Sequence, residues 1–295
     1  MTQTAPDPRS QVAAPSTREQ QQIAPPGLTE QMRDRPDHGE RSYVGSGRLS
    51  GRRAVVTGGD SGIGRAVAIA FAREGADVLA VHLPQEDGDA EQTCRLVEAE
   101  GVRAGHIAVD LRDEAACQRV VDEAVQSLGG LDILVNNAAH QQAQPAGLED
   151  ITNEQFDATM RTNLYAMFWL SKHALPHLQP GSCIVNTASI QGSSPSPALI
   201  DYAMTKAAII SFTQSTAQSL AERGVRVNAV APGPIWTPLI PATMPEEKVE
   251  SFGSTTPMKR PGQPAEVAPA YVYLASSDAS YVTGAVIPVT GGEPF

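Results

Sequence analysis

The feature that most constrains this chain is an alternation, beginning at Arg53, of short β-branched or aliphatic runs with longer segments of helical spacing. Parallel strands need long crossover connections, so repeated units of this kind close as a parallel sheet with helices packed on its faces. The strand candidates are Ala54 to Thr57, Asp77 to His82, Arg103 to Val109, Ile133 to Asn136, Cys183 to Ala188, Arg226 to Val230 and Val286 to Val289. Seven strands predict an α/β fold, an open doubly wound sheet of the Rossmann type, in a single domain.

Helices are predicted over Gly62 to Glu74, Ala90 to Glu100 and Asp113 to Leu128, the last with apolar spacing at Ala116, Val120, Val121 and Val125. Thr152-Asn-Glu-Gln155 reads as a capping box opening a further helix. Another runs from about Tyr202 to Arg223, with Gly224 placed to end it in a left-handed cap.

The first forty residues hold six prolines and six glutamines with few large apolar side chains, too little to offset the entropy of ordering. Residues 1–46 are therefore read as an extended or disordered arm and 47–295 as the domain. Two readings of the arm stay open. It is either a tail without a role, or a segment whose Ile23, Leu28, Met32, Tyr43 and Val44 lie along a neighbouring subunit.

With 22 basic against 33 acidic residues the formal charge is −11, which argues against a nucleic-acid surface or a basic membrane-docking face. An anionic ligand must then be held by local geometry. Cys94, Cys117 and Cys183 form no CxxC pair, so neither a disulfide framework nor a zinc site is expected, and a reducing cytoplasm is the natural setting. The longest apolar stretch, around Leu164 to Leu170, is too short to span a bilayer.

After the first strand comes Thr57-Gly58-Gly59-Asp60-Ser61-Gly62-Ile63-Gly64, which opens the first helix. Glycines let the backbone turn sharply and approach a pyrophosphate, while amides at the helix start supply donors and partial positive charge. Position after a first strand makes this a dinucleotide-binding turn and not a mere tight loop.

Tyr202 and Lys206, four residues apart on one helix, share a face and converge on one point. A nearby ammonium is expected to lower the phenol's pKa and make Tyr202 a usable acid/base at neutrality. Ser189 lies just past the fifth strand, near the carboxyl edge where open α/β sheets place ligands, and its hydroxyl could hold a substrate oxygen.

The ordered set of the glycine loop, Asn136-Asn137-Ala138-Ala139, Asn163, Ser189, Tyr202-x-x-x-Lys206 and Pro232-Gly233-Pro234-Ile235-Trp236-Thr237 resembles the short-chain dehydrogenase/reductase family. The resemblance covers almost everything from Arg48 to the C-terminus. With the arm, the lead-in from Tyr43 and the Gln-Pro-Ala-Glu stretch at Gln263, it is similar to a bacterial branch described as glucose/ribitol-dehydrogenase-like or as NADP-dependent aldehyde reductases.

That resemblance implies hydride transfer between NAD(P)(H) and a small alcohol or carbonyl (aldehyde, ketone, sugar or polyol), with Asn163, Ser189, Tyr202 and Lys206 as the catalytic set. It gives Asn163 a water that links the lysine to solvent, and Lys206 a second role in holding the nicotinamide ribose. The cofactor would lie on Gly58, Asp60, Ser61, Gly62, Ile63 and Gly64, with Asp110 and Leu111 near the adenine and Asn136, Asn137, Ala138 and Ala139 as the adenosine-side wall. Pro232, Gly233, Ile235 and Thr237 would position the carboxamide and pyrophosphate. Ala139 and Thr290 replace the family's usual glycine and aspartate, neither at a proton-transfer position. A homotetramer built on the helices containing Asn163 and Tyr202 is implied as well.

The second strand ends at His82, where NAD-preferring enzymes of this architecture carry an acid. His82 or Ser61 could bond a 2′-phosphate, whereas Asp60 and Glu86 add negative charge nearby. NADP(H) is the expected cofactor, with NAD(H) the alternative. The proline-rich region Pro234 to Pro264 is expected to form a substrate lid, with Trp236, Leu239, Met244, Gln191 and His140 as candidate walls.

Two rival functions share this reading: a non-catalytic sensor of NADP redox state, and a dehydratase or epimerase on the same fold. No metal site is expected, because His173 and His177 are separated by Pro176 without an acidic partner, and His38, His106 and His140 show no ligand spacing. Ser189 lacks a nucleophile elbow, so hydrolysis is not indicated.

Overall fold

The run Arg53–Thr57 forms β1, buried from Ala54 onward, in a computed structural model that describes residues 7–9 and 21–295. The other strands are β2 (Asp77–His82), β3 (Ala104–Ala108), β4 (Ile133–Asn136), β5 (Cys183–Thr187), β6 (Arg226–Pro232) and β7 (Val286–Val289). All pair in parallel in the order β3-β2-β1-β4-β5-β6-β7, as expected for a doubly wound sheet. In β4 and β5 every residue is buried, because helices cover both faces of the sheet.

The helices are α1 (Gly62–Arg73), α2 (Asp87–Glu98), α3 (Glu114–Leu128), α4 (Asn153–Met160), α5 (Ala166–Ala174), α6 (Ile200–Leu220), α7 (Leu239–Thr243), α8 (Glu246–Glu250) and α9 (Pro264–Ala275). One core layer joins α1 and α9 to the sheet through Val67, Phe71, Tyr271 and Val272. The other joins α3, α5 and α6 through Val120, Val121, Leu170 and Leu220.

Local signals act as read. Thr152 accepts from Gln155 N at 3.1 Å to cap α4, although the Gln155 side chain turns away to Asp201 and Gln142 and does not close the box. Gly224 ends the helical run after α6 at φ 70°. Between α4 and α5 the chain widens into a π-turn, Arg161–Tyr165, which holds Asn163. Among the described residues no helix is long and apolar enough to cross a membrane.

Residues 1–6 and 10–20 of the arm lie outside the described residues. The following stretch, residues 21–46, packs on its own domain. Met32 is buried with Trp236, Ile240 and Val249, and Ile23 packs beside them. Trp236 Nε1 donates to Asp34 O at 2.8 Å, and Thr29 N to Asp89 Oδ2 at 2.8 Å. Tyr43 donates to the fully buried Glu74 at 2.6 Å, and Arg73 donates to the carbonyls of Gly39, Glu40 and Tyr43. A few apolar anchors and these directed bonds fix a chain that composition alone would leave free. Val44 remains exposed.

Candidate active site

In this strand order the winding reverses between β1 and β4, and there the loops after neighbouring strands leave in opposite directions. Thr57, the last residue of β1, binds the two sides together: its Oγ1 accepts from Asn137 N at 2.8 Å and Ala138 N at 2.9 Å, and Asn137 Nδ2 donates to Thr57 O at 3.0 Å. A cleft of about 1160 Å³ opens above this point.

The glycine loop forms one end of the cleft. Gly58 stands at φ +62°, and a Cβ there would lie 3.2 Å from Asn137 Nδ2; Gly62 stands at φ +51°, and its Cβ would meet Thr237 Cγ2 at 3.1 Å. Gly64 does not line the cleft: its missing side chain lets α1 pack on the Gly58 carbonyl. Ser61 begins α1 without a side-chain cap, so the first-turn amides stay available to a ligand. Beneath the loop the buried Arg65 donates through Nε to Asp60 O at 2.7 Å and through Nη2 to Asp89. Backbone cradle and uncapped helix end fit a pyrophosphate.

Of the other expected cofactor residues, Asp60, Ser61, Ile63, His82, Asp110, Leu111, Asn137, Ala138, Ala139, Pro232, Gly233, Ile235 and Thr237 line the cleft, as do Tyr202 and Lys206. Asn136 does not: its amide points into the protein, donating to Asn186 Oδ1 at 2.9 Å. Asp110 pairs with Arg112, which holds its carboxyl below the usual range.

His82 is not free to bond a phosphate. Its Nδ1 donates to Leu83 O at 2.9 Å, Nε2 lies 2.9 Å from His106 Nδ1, and the ring is fully buried. Two carboxyls face this end of the cleft instead. Burial pushes Glu86 up to about 8, helped by the nearby Asp60, and Asp60 is itself raised by burial against the opposing contact with Ser61. The arm contributes a further wall through Pro25, Pro26 and Gly27, which no sequence signal marked.

At the other end, α6 presents Tyr202 and Lys206 one turn apart. Lys206 Nζ donates to Thr187 O at 2.7 Å and lies 5.3 Å from the centre of the Tyr202 ring. The Ser189 side chain lies beside Tyr202, near enough to favour the phenolate in part. Ser189 is fixed in turn, its Oγ accepting from Gln191 N at 3.2 Å.

Electrostatics here reverse the sequence expectation. Burial raises Tyr202 to about 12, only partly offset by Ser189, and burial lowers Lys206 to about 7. Desolvation disfavours both charged forms more than the pair's mutual attraction favours them. The phenol therefore keeps its proton across neutral pH, a state suited to donation.

Asn163 sits behind Lys206, not in the cleft. Its Nδ2 donates to His140 O at 2.9 Å and Thr205 Oγ1 at 3.0 Å, and its Oδ1 accepts from His140 N at 2.7 Å. A cavity of about 10 Å³ touches both Asn163 and Lys206, close to the space one water needs.

Gln191, Leu239, Met244 and His140 line the cleft as expected for substrate walls. Trp236 does not, because its indole is buried between the lid and the arm.

A family model described as enoyl-(acyl carrier protein) reductase matches residues 58–293. The chain is 55% identical over 274 residues to the uncharacterized oxidoreductase YhdF of Bacillus subtilis, covering 93% of this chain and 94% of that one. It is 45% identical over 283 residues to NADPH-dependent aldehyde reductase 1, chloroplastic, of Arabidopsis thaliana, covering 94% and 98%. Among solved structures, a short chain dehydrogenase from Burkholderia cenocepacia J2315 in complex with NADP superposes with a TM-score of 0.78 at 35% identity, over 83% of this chain and 98% of that one.

Proposed function

The chain belongs to the short-chain dehydrogenase/reductase family, and from that premise we propose that it transfers a hydride between NADP(H) and a small alcohol or carbonyl compound, with Tyr202 as the acid/base. The observation that carries this reading is the placement of Tyr202, beside Ser189 and one turn before Lys206, in the same cleft as the glycine cradle. NADP(H) is the cofactor named for the aldehyde reductase relative and for the structural neighbour.

The dinucleotide would rest on Gly58, Ser61, Gly62 and Ile63, with Asp110, Leu111, Asn137, Ala138 and Ala139 on its adenosine side and Pro232, Gly233, Ile235 and Thr237 opposite. When bound, its nicotinamide supplies the hydride in reduction and accepts it in oxidation. The chain's own residues handle the proton. Tyr202 Oη, protonated at neutrality, donates to the carbonyl oxygen, and the Ser189 hydroxyl holds that oxygen as negative charge develops. Lys206, near neutrality in its proton equilibrium, would restore the phenol's proton, and the water-sized cavity that touches both Lys206 and Asn163 would hold a water to recharge it.

The domain is taken as residues 47–295, carrying the arm on its surface. We place the chain in the cytoplasm as a homotetramer; what favours assembly is that Tyr165 on the π-turn, Phe168 on α5 and Met204 on α6 are large apolar side chains left exposed.

The test is steady-state turnover on a panel of aldehydes, ketones and sugars with NADPH and NADH. Carbonyl-dependent oxidation of NADPH, with a lower KM than for NADH, is expected. NADPH binding without absorbance change on any carbonyl would favour a sensor, dehydratase or epimerase, and a lower KM for NADH would reject the cofactor assignment.

A further inference from the structure

At the rim of the cleft, behind His82, three potential metal ligands from distant parts of the sequence meet at the open edge of the sheet. Parallel pairing sets Ala80 beside His106 and His82 beside Ala108, so His82 and His106 share one face of β2 and β3. His82 Nε2 lies 2.9 Å from His106 Nδ1 and 3.8 Å from Oδ1 of Asp87, the first residue of α2. The three ligand atoms all fall within 4.8 Å of one another.

The His82 ring is already arranged as a ligand. A carbonyl can only accept, so the 2.9 Å bond to Leu83 O fixes the His82 proton on Nδ1 and leaves the Nε2 lone pair facing the other two groups. Metal-bound histidines are oriented in this way, by donating the second ring nitrogen's proton to a carbonyl or carboxylate. Full burial locks the ring, whereas His106 and Asp87 are exposed and leave room for water ligands.

Zinc–nitrogen bonds of about 2.0–2.1 Å, at angles between those of octahedral and tetrahedral sites, separate two nitrogens by roughly 3.0–3.4 Å. The imidazoles need to part only slightly to reach that spacing, and Asp87 needs to approach by about half an ångström. Two imidazoles with one carboxylate select borderline divalent ions such as Zn²⁺, Co²⁺ or Ni²⁺ over Mg²⁺ and Ca²⁺, which prefer all-oxygen sets.

We propose that His82, His106 and Asp87 bind one divalent transition-metal ion at the edge of the sheet, beside the dinucleotide end of the cleft. On binding, the His106 proton moves from Nδ1 to the outer Nε2, freeing the Nδ1 lone pair for the metal, and no redox step is involved. The 24 positions that separate the two histidines hide the site from any spacing rule, and the β2–β3 register creates it.

The experiment uses the full chain, freed of any polyhistidine tag and treated with EDTA, titrated with Co²⁺ and with Zn²⁺ by visible absorption and calorimetry. One ion per chain is expected, with Co²⁺ bands in the visible that Zn²⁺ displaces. His106→Gln should weaken binding by roughly tenfold or more, and Asp87→Asn by several-fold. Unliganded melting temperatures close to the parent's would show that both variants are folded, and His106→Ala serves if the glutamine variant is not. Absence of saturable binding up to about 1 mM ion, or binding unchanged in a folded His106 variant, would overturn the proposal.

Discussion

Lys206 Nζ stands 5.3 Å from the centre of the Tyr202 ring, yet its one direct hydrogen bond goes to the Thr187 carbonyl, 2.7 Å away. The ammonium is thus anchored to the end of β5 beside the phenol without bonding to it. Burial then sets both protonation states, with the phenol raised to about 12 and the amine lowered to about 7.

Tyr202→Phe removes the donor and leaves the cradle intact. We expect kcat to fall by roughly 10²–10⁴-fold, the usual contribution of a placed general acid. The dissociation constant for NADPH, measured by fluorescence titration, should change little. Undiminished kcat would reject the assignment.

Lys206 has a folded-state pKa below its ordinary 10.5, so the native state carries a desolvation penalty at low pH that is relieved as pH rises from about 7 towards 10.5. Lys206→Met removes that penalty together with the activity. The melting temperature of the variant relative to the parent should be most favourable below pH 7 and decline towards pH 10. A difference independent of pH would show that Lys206 is not held near 7.

Glu86 and Asp60 line the end of the cleft where a 2′-phosphate would lie, and both are raised by burial, Glu86 to about 8. Below that value Glu86 is neutral and tolerates the phosphate, and above it the carboxylate repels it. KM for NADPH should therefore rise by roughly three- to tenfold between pH 7 and 9, the scale of a charge–charge term near a protein surface. KM for NADH should move less, and Glu86→Gln should flatten the NADPH curve. Parallel curves for the two nucleotides would place the phosphate elsewhere.

Gly27, in the arm, has φ +97°, and a Cβ there would lie 2.8 Å from Pro238 O at the start of the lid. Gly27→Ala should cost about 1–3 kcal/mol of arm docking through strain and contact together. The expected signs are faster proteolysis within residues 21–46 and a higher KM for NADPH. Limited digestion and kinetics on one sample would test both, and a variant indistinguishable from the parent would separate the arm from ligand binding.

The seven parallel strands and most of the cleft are legible because they rest on local rules: β-branched runs bounded by turns, glycines at positive φ, and a four-residue helical spacing that pairs Tyr202 with Lys206. What escaped depends on contacts between distant segments. Arg65 reads as an ordinary helix residue, and only the packing of α1 against α2 shows it bonded to both Asp60 and Asp89 beneath the glycine loop. His82, by its place at the end of β2, reads with Ser61 as a group that could bond a 2′-phosphate, but the β3 register directs its Nε2 to His106. Asn136 and Asn137 cannot be told apart by composition, and the strand's alternation decides that the second faces the cleft. Nor could sequence spacing show how far burial shifts the two groups on α6.

Met32 meets Trp236, Ile240 and Val249 in a single cluster, so arm and lid share one set of apolar contacts although some two hundred positions separate them. A chimaera that moved only the stretch between Pro234 and Pro264 of this chain into another scaffold would take the indole of Trp236 away from the Met32 side chain and the Asp34 carbonyl that cover it. The exchangeable module for altering selectivity is discontinuous, and grafts should carry residues 21–34 together with the loop they fasten.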